Sequence, residues 1–198
     1  MKIITVTGFK GGVGKSTTAI HLAAYFSQHG KTLLVDGDPN HTAVAWSNRG
    51  HLPFEVVGAN QSMRAVAGKE WVIFDTPARP NSEDLAELIK GCDLLVLPTE
   101  PDIVSILPMM DTIKALGEAS YRTLITKVPP SPNKDGDAVH AELAEAGYPI
   151  FNTMIRRSIA FTKAAVNGIT TRDLTNTRLA AAWKDYSRLG DEIRKIVK

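Results

Sequence analysis

A single cysteine, Cys92, is the only thiol in 198 residues. That excludes an intrachain disulfide and a cysteine-ligated cluster built within one chain. In "GCDLLVLP", just ahead of an apolar run, Cys92 reads as a small buried residue. The five histidines, His21, His29, His41, His51 and His140, show no metal-ligand spacing. No apolar run approaches the roughly 20 residues of a membrane span, and the N-terminus reads as a core strand rather than a signal peptide. Internal repeats are absent as well. The expectation is a soluble, cytoplasmic protein, and with 43% hydrophobic and 22% charged residues one globular domain over 1–198.

Against these absences stands one glycine-rich stretch, "FKGGVGKST", from Phe9 to Thr17. Main-chain N–H groups that converge on an anion need unusual dihedrals and close approach, which Gly11, Gly12 and Gly14 permit around Val13. A helix should follow, offering unpaired N–H groups and a positive dipole end, with a lysine for the β/γ-phosphates and a hydroxyl for magnesium. Lys15 and Ser16 hold those places, and Thr17 follows in the first turn. The general G-x-x-x-x-G-K-[ST] pattern would put its first glycine at Phe9, so the strict pattern fails while every later position is kept. Context agrees: Lys2 to Thr7 reads as a buried strand, and Ser16 to His29 as a helix ending at Gly30.

Further strands are expected at 32–36, 54–57, 71–75, 93–97, 122–126 and 149–153, with helices between several of them. Their continuous apolar character predicts an α/β fold, a mostly parallel twisted sheet with helices on both faces and ligands at the C-terminal strand edge. The proline-rich stretch 128–136 reads as a surface loop. Two acids fall at strand ends. Asp38, in "DGDPN" after Asp36, is placed to orient or activate a water near a γ-phosphate, or to hold a magnesium-bound water; a plain reverse turn is the competing reading. Asp75, closing "WVIFD", has the placement of a magnesium-binding acid.

"KGGVGKST" resembles the deviant phosphate loop of the ParA/MinD superfamily. The resemblance implies a P-loop ATPase that uses ATP and Mg²⁺, in which Lys10 is a signature lysine reaching the partner's phosphates across a sandwich dimer, much like an arginine finger in trans. It also implies that the position before that lysine varies, that Asp38 is the essential switch I acid, and that Thr76 to Pro80 form switch II. Thr126, Lys127 and the loop after Thr153 are the places for the base. With one cysteine, the iron–sulfur branch of the superfamily is disfavoured.

Charge is unevenly divided. Residues 1–155 carry a balance of −4 and residues 156–198 one of +6. A basic C-terminal segment fits a polyanion, although a solvated helix face is the bland alternative. Leu179, Trp183, Tyr186, Leu189, Ile193, Ile196 and Val197 form a helical stripe for the core. Lys184, Arg188, Arg194 and Lys195 fall mostly off it and, with Arg156 and Arg157, are the candidates for phosphate contacts to nonspecific double-stranded DNA.

"IRRSIAFTKAAVNG" is similar to the end of small ParA proteins, so the resemblance spans nearly the whole chain. It implies a nucleoid-associated ATPase that dimerises with ATP and positions a cargo. An adaptor would stimulate hydrolysis, of the kind used in carboxysome distribution, which is favoured, or in ParB-type plasmid partition. Because the first strand starts at residue 2, no N-terminal helix-turn-helix domain is expected. A membrane-surface ATPase of the MinD kind and a metabolic P-loop enzyme stay open, but the tail "RLGDEIRKIVK" carries acids and no large aromatics, so membrane association is not expected.

Overall fold

The computed structural model describes residues 1–78 and 82–197. Six strands, β1 (Lys2–Val6), β2 (Thr32–Asp36), β3 (Glu55–Gly58), β4 (Trp71–Asp75), β5 (Leu94–Thr99) and β6 (Tyr121–Ile125), form one sheet in the order β3-β2-β4-β1-β5-β6. Every pairing is parallel. The helices are α1 (Lys15–Phe26), α2 (Thr42–Ser47), α3 (Ser62–Ala65), α4 (Ser82–Gly91), α5 (Ile103–Leu116), α6 (Asp135–Glu145), α7 (Ile159–Asn167), α8 (Thr177–Ala180) and α9 (Trp183–Ile196).

Strand side chains alternate between faces, so each apolar run feeds two cores. Ile4, Val6, Leu34, Ile73, Leu94 and Val96 meet Ile20 and Phe26 of α1, Ala164 of α7, and Tyr186, Leu189 and Ile193 of α9. On the other face Leu33, Val35, Val57 and Val72 pack with Ala65 and Val66, and Leu95 and Leu97 with Leu85 and Leu116. Helices therefore cover both faces, as expected. Helix α1 is buried over ten of its twelve residues because α9 lies on its far side. That all-round burial explains why α1 carries little amphipathic pattern.

Two expectations are corrected. The segment 149–153 is not a strand: beside β6 it makes the isolated bridge Thr123↔Ile150. The N–H groups of Asn152 and Thr153 donate to the Glu192 carboxylate at 2.9 Å, and this takes them out of any ladder. The C-terminal stripe also does not belong to one helix. Asn176 caps the short α8 through the N–H groups of Arg178 and Leu179, and the chain breaks at 181–182 before α9 starts. Leu179 is thus separated from the stripe that runs from Trp183 to Val197.

Parallel register fixes the working edge. Val6 and Asp36 both pair with Asp75, so the ends of β1, β2 and β4 lie side by side where the glycine loop leaves the sheet.

Candidate functional site

Between β1 and α1 the loop takes left-handed backbone at Gly12 (φ 83°) and Gly14 (φ 93°), conformations that side-chain-bearing residues avoid. Gly14 is the N-cap of α1 and no side chain caps it. The first-turn N–H groups and the dipole are thereby left for an anion. The Phe9 ring packs with Leu85, Leu95, Leu97 and Leu116, and its N–H donates to the Thr112 hydroxyl at 3.2 Å. An aromatic at this position thus anchors the start of the loop, a role not expected for a variable position. At the other end Thr126 donates to the Val13 carbonyl at 2.8 Å and to that of Thr99 at 3.1 Å.

The two lysines diverge. Lys15 is buried and donates to the Lys10 carbonyl at 3.0 Å. Burial lowers its pKa, and the charges of Asp75 and Asp38 act in the opposite direction. Lys10 instead donates to the Ser105 hydroxyl on α5 at 2.6 Å and lies 3.8 Å from Asp102.

Asp36, fully buried, accepts from the N–H groups of Asp38 (3.1 Å) and Val44 (2.9 Å), and so ties the Asp38 turn to α2. Asp38 accepts at Oδ1 from the Asn40 N–H and side-chain amide, an Asx turn. Among the described residues the buried side-chain atoms without a hydrogen bond are Thr7 Oγ1, Thr171 Oγ1 and both carboxylate oxygens of Asp75, and of these groups only Asp75 is an acid. Burial pushes its carboxyl up to about 7, opposed by the nearby Ser16 hydroxyl and Lys15 and reinforced by the charges of Asp36 and Asp38. An orphaned carboxylate beside a loop hydroxyl is the donor set that a hydrated magnesium ion fits. Of the switch II stretch 76–80, Thr76 is buried and bonded to the Val6 carbonyl, while Arg79 and Pro80 lie outside the described residues.

An unmatched buried acid carries a testable cost. At pH 8, nucleotide-free Asp75→Asn is expected to melt roughly 5 °C above the parent, because a charge that costs on the order of 2 kcal/mol is removed. The sign follows from the raised pKa: the folded state holds the proton more tightly, and that stability is lost as pH rises through about 7. Near pH 4 the two proteins should converge. A lower melting temperature for the variant at pH 8 would contradict the assignment.

Beside the loop opens a cavity of about 510 Å³ lined by Gly14, Thr17, Lys127, Arg156, Arg157 and Phe161, among others. Lys127, with left-handed backbone (φ 52°), forms an ion pair with Glu100 at 2.9 Å. Residues 4–171 match the model of the CobQ/CobB/MinD/ParA nucleotide binding domain. The chain belongs to this family. It is a P-loop ATPase of the ParA/MinD type. A relative from Gloeobacter kilaueensis, the maintenance of carboxysome distribution protein A, is 34% identical over 97% of this chain and 94% of its own length. Among solved structures, a McdA–ATP complex from Cyanothece superposes with TM-score 0.69 at 18% identity, covering 96% of each chain. A Borrelia burgdorferi plasmid partition protein bound to AMPPNP reaches TM-score 0.75 at 16% identity, over 98% of this chain and 99% of its own. These two structures bear on the fold alone.

Within the family frame the residues singled out by sequence separate into groups. Gly11, Gly12, Val13, Gly14, Lys15, Ser16 and Thr17 build the loop and first turn, with Asp75 and Asp38 at its edge. Lys127 and both arginines 156 and 157 line the adjoining cavity. Lys184, Arg188, Arg194 and Lys195 are exposed along α9. Arg156 is held by Asp185, a partner that sequence reasoning did not single out. Asp36, Thr126 and Phe9 were missed as organisers of the loop. Only Asp36 left a signal, as the first acid of D-x-D.

Proposed function

We propose that the protein is a small ParA-type ATPase that closes into a sandwich dimer on ATP and Mg²⁺, binds nucleoid DNA without sequence readout, and distributes carboxysomes through an adaptor that stimulates hydrolysis. The divergence of the two lysines carries this reading. Lys15 turns inward to its own phosphate site, whereas Lys10 turns away from it to Ser105 and Asp102, contacts it would exchange for a partner's nucleotide in the dimer. Ser16 and Asp75 would hold magnesium, with Asp38 at hand for its water shell or the attacking water; the ion neutralises phosphate charge. The name of the 34% identical relative supports carboxysomes as the cargo.

On α9, 3.6 residues per turn bring Lys184, Arg188 and Lys195 within about 40° of one another, with Arg194 roughly 80° from Lys184. We assign this row and Arg157 to DNA phosphates, and Arg156 to the nucleotide cavity. Among the described residues no helix is long and apolar enough to cross a membrane.

The test is a mobility shift on nonspecific duplex with ATP, ADP or no nucleotide, alongside light scattering. Binding should need ATP, coincide with the dimer, and weaken steeply with salt. Replacing both Lys184 and Arg188 by glutamate should weaken DNA binding at least about tenfold on all sequences alike, through lost phosphate contacts. A dimer that ignores DNA but binds anionic vesicles would redirect the reading to a membrane surface, and a monomer throughout to a metabolic enzyme.

A further inference from the structure

Among the described residues Arg156 and Asp185 form the one ion pair held by two parallel side-chain hydrogen bonds. Nε and Nη2 of Arg156 donate to Oδ2 and Oδ1 of Asp185 at 2.9 and 2.8 Å, and the Arg156 main-chain N–H adds a third bond to Oδ2 at 3.2 Å. The carboxylate is buried, its side chain 5% exposed, while the arginine side chain is 60% exposed, and the residue lies between the cavity beside the phosphate loop and a neighbouring one of about 610 Å³ that Asp185 and Arg188 also line. A surface pair of flexible side chains would contribute little. Here one partner is fixed in the core and the other is aimed by it.

Asp185 starts a run of α9 residues that engage the loop helix. The next residue, Tyr186, also lines the cavity, and its hydroxyl hydrogen-bonds that of Thr18 in α1 at 3.0 Å. The Tyr186 ring stacks on His21, which donates from Nδ1 to the Thr17 carbonyl and accepts from the Thr171 N–H. One turn further on, Tyr25 of α1 donates to Asp191, and Gly190 leaves room for the Tyr25 ring. Tyr186 is therefore built into the wall of the cavity, Asp185 and Arg188 line a neighbouring one, and Lys184 of the same turns is exposed.

We infer that Asp185 is a positioning residue: it holds Arg156 at the mouth of the cavity for the bound nucleotide, and through this pair the basic face of α9 responds to occupancy. The inference rests on reading the cavity as the nucleotide pocket. Two of the five N–H groups of the guanidinium go to Asp185, and the others have no partner among the described residues. These remain for a ligand's acceptor oxygens or nitrogens. Because the cavity adjoins the loop at Gly14 and Thr17 and extends to Lys127 and Phe161, the pair acts on the nucleoside end, not on the γ-phosphate.

The experiment is calorimetric titration of the full chain with Mg·ATP and with Mg·ADP, for the parent, Asp185→Asn, Arg156→Gln and the double variant. Hydrogen exchange of the amides of 183–196 is followed in parallel, with and without saturating nucleotide. Each single variant should bind both nucleotides about 10-fold more weakly, and the double no worse than the weaker single, as expected of residues acting as one unit. In the parent, nucleotide should slow exchange in α9, and Asp185→Asn should lose this slowing even at saturation. Should Asp185→Asn melt below the assay temperature, Arg156→Gln, altered only at an exposed side chain, carries the affinity readout. Unchanged affinity in the single variants, additive losses in the double, or exchange in parental α9 that ignores nucleotide would each overturn the inference. If the parent binds while the variants match it, only this inference falls; if the parent binds neither nucleotide, the functional reading falls with it.

Discussion

Lys15→Ala should abolish useful nucleotide binding, with affinity for Mg·ATP falling on the order of 100- to 1,000-fold. The ammonium is buried, so its interaction with phosphate oxygens is little screened by solvent. In the nucleotide-free protein its Nζ is held by the Lys10 carbonyl, which aims it along the loop rather than into water. Alanine removes the charge and leaves Asp75 without the nearby cation that opposes its raised pKa. Titration calorimetry measures the loss, and far-ultraviolet circular dichroism checks the fold. Lys10→Ala provides the contrast. Lys10 rests on Ser105, away from the buried site, so the monomer should keep its ATP affinity while light scattering shows no ATP-dependent dimer. Equal losses of affinity in both variants would show that the two lysines serve one phosphate group, and the assignment of Lys10 to a partner would fail.

Asp38→Ala should bind ATP as the parent does and hydrolyse it about 100- to 10,000-fold more slowly, the range for removal of a positioned general base or water-orienting group. Its placement supports this. The Asp38 main chain is pinned by Asp36, and one carboxylate oxygen is occupied by Asn40, so the side chain is presented in one orientation beside the strand end that carries Asp75. Lost chemistry with retained binding should make the ATP-bound dimer persist, seen as a dimer that outlasts the parent's after a single addition of ATP. Phosphate release gives the rate. Hydrolysis at the parental rate would remove Asp38 from the reaction and leave it as a turn residue. Asp36→Asn tests the scaffold separately: it should lower the rate by loosening the Asp38 turn, and it should also lower thermal stability, which Asp38→Ala should not.

What could be read in one dimension was local. Loop glycines, Lys15 and Ser16 are legible because the chemistry of a phosphate cradle is contiguous in the chain, and the strands because each is a short apolar run bounded by turn residues. Asp75 is legible once the loop is known, since strands of a parallel sheet end on a common edge. The segment 149–153 was misread because its apolar pattern carries no sign that Glu192, some 40 residues on, takes its N–H groups. The tail was misread as one helix because its periodicity continues across the break that Asn176 and the short α8 introduce.

By itself the sequence determined the phosphate loop, the parallel α/β class and the acids of the strand edge, because each depends on residues within a few positions of one another or on the period of a single strand. Tertiary structure alone decided that Phe9 anchors the loop against α4 and α5, that Asp36 rather than chain stiffness orients Asp38, and that Arg156 answers to a buried Asp185 on α9. Each of those is a contact between distant segments, and a charge or ring declares its partner only when the fold has removed water from between them.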